Sequence, residues 1–258
     1  MNPRERIEER EYDVLSPRAF HVKEAKRAHA EAKDPLRTDF ARDRDRILHS
    51  NSFRRMKHKT QVYIAPQGDH YRTRMTHTLE VAQIGRTMAR ALSLNEDLVE
   101  AIALGHDLGH TPFGHVGEQA LKEIYGHFEH NEQSVRIAER LERDGAGLNL
   151  TLPVLDGMLN HCGPLKAHTL EGSLIKYADR IAYLCHDYED AESMGLITAT
   201  DVPEEIRHRI GTTHSSMITA MVTDVVEHSM KDETDGIHMS EEGDRILLDF
   251  RRFMFRAV

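Results

Sequence analysis

The chain has 258 residues, 39% hydrophobic and 30% charged, and a formal net charge of −9. That composition suits a globular protein with a sizeable core, excludes a disordered chain, and gives no whole-molecule attraction to nucleic acid. No apolar run approaches the roughly 18–20 residues of a membrane span, and the charged start MNPRERIEER carries no signal core, so a cytoplasmic protein without a membrane partner is expected. Cys162 and Cys185 lack metal-ligand spacing and read as two unpaired thiols in a reducing compartment. The compositional anomaly is histidine, at 18 residues, whose placement decides between surface decoration and metal or proton chemistry.

Periodicity is helical almost throughout, which predicts an all-α fold. A basic helix is expected over Asp39–Met56, then an irregular stretch over Gln61–Tyr71 broken by Pro66 and Gly68. Between Met75 and Leu92, Val81, Ile84, Met88 and Leu92 recur at helical spacing, and His77 joins that inward stripe four residues before Val81. Asn95 can cap the next helix, whose apolar face leads through Leu98, Ala101 and Ile102 to His106 before Gly109 and Pro112 end it. Further helices are expected at Gly117–Ile124, Asn131–Arg143, Leu152–Asn160 and Leu170–Ser193, and two more after Asp201, at Ser215–Met230 and Glu241–Arg256. The acidic stretch Lys231–Ser240 between the last two lacks a pattern. One domain over residues 1–258 is expected, with an N-terminal extension over about 1–37.

His106 and Asp107 lie side by side at the end of an apolar helix, where a buried, unpaired carboxylate is costly. An imidazole nitrogen next to a carboxylate oxygen makes two ligands for a borderline divalent metal, and His77 and Asp179 offer two more from other helices, as metal sites in helical bundles do. Taken singly, each has an ordinary reading as a hydrogen-bonded core histidine or a paired acid. The whole set resembles the signature of the HD phosphohydrolase superfamily. Closer still, RTRMTHTLEV over 72–81, HDLGHTPFGHVGE over 106–118, FEHN over 128–131 and ADRIAY over 178–183 followed by His186-Asp187 resemble the dGTP triphosphohydrolase family. Phe53-Arg54-Arg55-Met56 and Lys59-Thr60-Gln61-Val62 are similar to that family's N-terminal segment, so the likeness runs from about Arg42 to Asp190 and more loosely to the end.

The resemblance implies an HD-domain helical bundle that hydrolyses a deoxynucleoside triphosphate to deoxynucleoside and inorganic tripolyphosphate. It places one divalent transition metal (Mn, Fe, Co, Ni or Zn) on His77, His106, Asp107 and Asp179, with Mg assisting the triphosphate. It makes His115 and Glu118 the catalytic pair, Glu118 orienting the imidazole for proton transfer, where the plain reading is a first-turn capping contact. His130 becomes either an acid or a substrate contact, and His110 sits in the same motifs. Arg74, one turn before His77, becomes a phosphate ligand, and Arg180 either does the same or forms a surface ion pair. Tyr183 and Asp187, four and eight residues after Asp179, would face the deoxyribose, or else mark a helix-packing boundary and a solvated acid. Arg251 is a further phosphate contact in a C-terminal helical part that looks shortened relative to the family. The basic run Arg54, Arg55, Lys57, His58 and Lys59 is either a site for an effector nucleotide or single-stranded DNA or a solvated helix end. A homo-oligomer is implied as well. Another HD hydrolase, acting on a nucleotide, an alarmone or nucleic acid, and a non-catalytic nucleotide sensor are the competing readings.

Overall fold

In the computed structural model, which describes residues 1–61, 72–231 and 236–257, every regular element is helical, as the periodicity predicts. The helices are α1 (Pro3–Val14), α2 (Asp39–Leu48), α3 (Asn51–Arg55), α4 (Arg74–Ala91), α5 (Glu96–Gly105), α6 (Gly114–Tyr125), α7 (His130–Arg136), α8 (Leu152–Asn160), α9 (Leu170–Ser193), α10 (Glu204–Ile210), α11 (His214–Lys231) and α12 (Glu241–Ala257). Local chemistry sets their ends. The Asn2 side chain accepts from Glu5 N while Glu5 returns the bond to Asn2 N, a reciprocal cap that starts α1. The single helix expected over Asp39–Met56 is two, because the Ser50 hydroxyl accepts from Phe53 N at 3.1 Å and begins α3 afresh. The helix expected over Asn131–Arg143 leaves α-geometry at Ile137, where a π turn to Leu141 lets Ala138 O accept from Leu148 N at 2.6 Å. Residues 62–71 of the expected irregular stretch, and 232–235 of the acidic one, lie outside the described residues.

The chain divides into two compact units, Met1–Lys176 and Tyr177–Val258, and the division falls within α9. In the first unit α5 is the central element. Seven of its residues, Leu98, Val99 and Ala101 through Gly105, are buried, and it packs against α2, α4 and α8. The Asn95 side chain accepts from Leu98 N at 3.2 Å, and Glu96 and Asp97 complement the positive helix start. Two glycines bring α5 and α8 close: a Cβ on Gly157 would lie 2.4 Å from Ile102 Cδ1, and one on Gly105 2.7 Å from Met158 Sδ. The segment before α2 is tied down by charge. Arg27 reaches Asp43 and Asp39, all three nearly buried, and Asp43 also accepts from Thr151 N at 2.8 Å ahead of α8.

The turn after α5 is fixed against α7. The Ser134 hydroxyl donates to His106 O at 2.6 Å and accepts from Gly109 N at 2.9 Å. No side chain fits there, since a Cβ on Gly109 would lie 2.3 Å from Ser134 N and 2.5 Å from His130 O. In the second unit α10 contacts α11 and α12, and the buried Asp224 gathers Arg209 at 2.6 Å, Ser240 N at 2.8 Å and the Ser240 hydroxyl at 2.9 Å.

Two stability effects are expected. D43A leaves Arg27 buried without its main counter-charge and should cost about 3–5 kcal/mol, read as a lowered urea midpoint. G109A pushes against backbone that cannot yield and should cost about 3 kcal/mol, whereas an unchanged melting temperature would mean that α7 does not hold this turn.

Candidate active site

His106 is the residue at which α5 stops. The last carbonyls of a helix have no partner within it, and His106 Nδ1–H donates to one of them, Ala103 O, at 2.7 Å. That bond turns Nε2 away from the helix. Asp107 follows, and its Oδ1 lies 3.6 Å from His106 Nε2 while its Oδ2 lies 3.9 Å from His77 Nε2. His77 comes from the inward face of α4, as the stripe through Val81 predicts, and its ring centroid is 5.6 Å from that of His106. All three residues are buried, and their donor atoms form a group that could hold a metal ion. Two imidazole nitrogens and a carboxylate suit a borderline divalent ion, and a buried carboxylate calls for positive charge.

Arg74 supplies part of that charge. Starting α4 after the Thr73 cap, it donates from one guanidinium nitrogen to Asp107 Oδ2 at 2.9 Å and from the other to Gln61 O at 3.3 Å. Burial works to raise the Asp107 carboxyl, but His106, Arg74, His110 and His77 outweigh it and hold the group well below the usual carboxylate range.

A second cluster is centred on Glu118. The chain enters α6 through left-handed backbone at Phe113 (φ 67°) and Gly114 (φ 56°), a conformation disfavoured for phenylalanine. The helix therefore starts at Gly114 rather than at the expected Gly117, which sets His115 in its first turn with a side chain 73% exposed. One Glu118 oxygen accepts from His115 Nδ1 at 3.2 Å, and the other from His130 Nδ1 at 3.2 Å and His130 N at 3.0 Å. Burial pushes the Glu118 carboxyl up, yet these donors prevail and hold it well below its usual range. The His110 ring stacks on His130 with centroids 4.8 Å apart, and burial, then Arg74, pushes its pKa down to about 2. Burial opposes charge on His130, but hydrogen bonds with Cys162 and Glu118 prevail and push its pKa up to about 10.

Three contributors escaped the sequence reading. His161 ends α8 as His106 ends α5: its Nδ1 donates to Met158 O at 2.7 Å, and the two ring centroids are 4.9 Å apart. The available signal was the echo of Leu104-Gly105-His106-Asp107 in Leu159-Asn160-His161-Cys162. Cys162, read as a bystander thiol, has its Sγ 3.7 Å from His130 Nε2. Lys59 leaves the basic run and turns inward, donating to His110 O at 2.6 Å, while Arg54, Arg55, Lys57 and His58 are exposed.

The remaining sequence-derived candidates belong to the second unit. Asp179, Arg180, Tyr183 and Asp187 are half-buried on α9, and Arg251 is exposed on α12. Burial pushes the Tyr183 phenol up to about 12, with Arg251 opposing and Asp179 adding to the rise. Asp187 Oδ1 lies 2.9 Å from Nδ1 of the buried His186, and the Arg251 guanidinium stands 5.2 Å over the Phe255 ring.

Known proteins give the arrangement a lineage. The HD domain family model matches residues 74–184, the span from Arg74 through Asp179 to just beyond Tyr183. A deoxyguanosinetriphosphate triphosphohydrolase-like protein of Caldanaerobacter subterraneus subsp. tengcongensis is 54% identical, over all of this chain and 76% of its own length. Proteins with the same description from Desulfatibacillum aliphaticivorans and Clostridium tetani are 50% and 46% identical, each again over the whole of this chain and over 77% of their own lengths. The chain belongs to the deoxyguanosinetriphosphate triphosphohydrolase-like family of HD-domain proteins.

Proposed function

We propose that this protein, acting as one HD-type catalytic domain, hydrolyses a deoxynucleoside triphosphate, either dGTP or several dNTPs, to the deoxynucleoside and inorganic tripolyphosphate. The observation that carries the reading is the presence in one unit of the buried His77, His106 and Asp107 donors and the carboxylate-linked imidazoles of His115 and His130. The relatives' names support the same direction. His77, His106, Asp107 and, from the resemblance, Asp179 would hold one divalent transition ion of the Mn, Fe, Co, Ni or Zn group, with Mg accompanying the triphosphate. Such an ion, when bound, acidifies water and polarises a phosphate oxygen.

The other roles follow from the chain's own groups. Water adds to the α-phosphorus, the bond to the 5′ oxygen breaks, and that oxygen leaves with a proton. His115, exposed and oriented by Glu118, is assigned to proton transfer at the scissile phosphate, and the raised pKa of His130 suits it to carry a second proton. Arg74 is assigned to phosphate oxygens, for which a planar guanidinium is a good match. His110 is assigned to substrate contact: it is nearly buried, and its Nδ1 has no hydrogen-bond partner among the described residues, a need that a ligand would meet. Tyr183, kept a neutral phenol, would pack beneath the deoxyribose, Asp187 would accept from the 3′ hydroxyl, and Arg180 and Arg251 would contact phosphate. The exposed Arg54, Arg55, Lys57 and His58 are proposed to meet an effector nucleotide or single-stranded DNA, in a cytoplasmic homo-oligomer.

The deciding assay is product analysis. Each dNTP incubated with the protein and Mn or Mg should yield deoxynucleoside and tripolyphosphate; mono- or diphosphate products, or none, would reject the assignment. D107A should lose hydrolysis and the manganese held by His77, His106 and Asp107, and normal manganese content in that variant would remove the proposed centre. H115A should keep metal and nucleotide binding but lose about 10²–10⁴-fold in turnover.

A further inference from the structure

Outside the His77, His106 and Asp107 set, three other donors converge. His161 Nε2 lies 3.2 Å and Cys162 Sγ 3.7 Å from His130 Nε2, and all three donor atoms fall within 4.8 Å of one another. Both rings are held by their far nitrogens, His161 Nδ1 by Met158 O at 2.7 Å and His130 Nδ1 by Glu118 Oε1 at 3.2 Å. Carbonyl and carboxylate oxygens only accept, so each Nδ1 carries its hydrogen. With each Nδ1 so engaged, the two Nε2 atoms face one another at 3.2 Å, a contact that needs either a shared proton or a metal cation between them. An outer acceptor on Nδ1 that directs Nε2 inward is also how metal-binding histidines are commonly oriented.

The spacing also fits a tetrahedral metal cation. A tetrahedral ion with bonds of about 2.05 Å to nitrogen and about 2.3 Å to sulfur separates two nitrogens by about 3.3 Å and a nitrogen from a sulfur by about 3.6 Å. The two separations found, 3.2 Å and 3.7 Å, each match to about 0.1 Å. Two imidazoles and a thiolate favour a soft ion over Mn or Mg. His161 is buried while His130 and Cys162 are half-buried, so the donors are sheltered yet reachable.

We propose that His130, His161 and Cys162 form a second cation site, selective for a soft dication of the zinc or cadmium class, with a fourth position open to water or a substrate oxygen. The site does not rest on the triphosphohydrolase reading. On that reading, however, a cation on His130 Nε2 and a proton there exclude each other, so soft metals and catalysis compete for one atom.

The test uses the whole chain, stripped of metal and titrated with Co²⁺ while thiolate-to-cobalt charge-transfer absorption is recorded, then with Cd²⁺ while bound metal is counted. The wild-type protein should develop the band. D107A should keep it, which separates this site from the one on His77, His106 and Asp107, and whose hydrolysis is scored independently. C162S should lose the band and bind Cd²⁺ at this site at least about tenfold more weakly, while retaining its manganese. No band in the wild-type protein would mean that the histidines share a proton only, and would overturn the proposal without recourse to a variant. A band that persists in C162S would belong to Cys185 and would overturn it equally. Should C162S fail to fold, H161Q serves in its place, since losing either ligand must weaken Cd²⁺ binding.

Discussion

The unsatisfied carbonyls at the ends of two neighbouring helices organise the first unit. A histidine placed one residue past the last turn can donate from Nδ1 to the carbonyl three residues back, and His106 and His161 both do so, at 2.7 Å each. One bond thereby does two things: it satisfies a helix end and fixes which ring nitrogen faces outward. The arrangement works only because α5 and α8 approach closely, which Gly105 and Gly157 permit by leaving room for Met158 and Ile102. Small residues in the core thus determine how near the two imidazoles stand.

Around this frame the charges are arranged in compensating sets. Asp107 would be an expensive buried anion, but Arg74 and the surrounding imidazoles oppose it from several sides. Glu118 is likewise buried and likewise answered, by two rings and a backbone N–H. Neither set could lose a partner without exposing the others to an unpaired charge, so the pairs constrain one another's position as well as their energy. Ser134 and Gly109 supply the mechanical link, holding the turn that carries Asp107 and His110 against the helix that carries His130.

Much of this was legible in the sequence. The 3.6-residue stripe on α4 oriented His77 inward, the Asn95 cap located the start of α5, and α8 and α9 fell where their apolar patterns put them. Boundaries set by capping were harder. The break at Ser50 and the start of α1 at Asn2 are written in side-chain hydrogen bonds that periodicity does not register. The early start of α6 depends on left-handed backbone at Phe113, which no propensity favours. His161 and Cys162 were marked in the sequence only by the echo of Leu104-Gly105-His106-Asp107 in Leu159-Asn160-His161-Cys162. Their meeting with His130 is spatial, arising when the end of α8 packs against a residue 31 positions away in sequence. Lys59 looked like part of a cationic surface because composition cannot tell which member of a basic run folds inward.

The shared carboxylate of Glu118 has one more consequence. It joins a ring whose side chain is 73% exposed, His115, to one that is 12% exposed, His130. Each ring presents an N–H to a different oxygen of the same group, so neither imidazole can turn without pulling on the carboxylate that holds the other. A displacement of the solvent-facing ring is therefore felt at the inner one through a single side chain, and the two histidines are positioned as one unit rather than as two independent side chains.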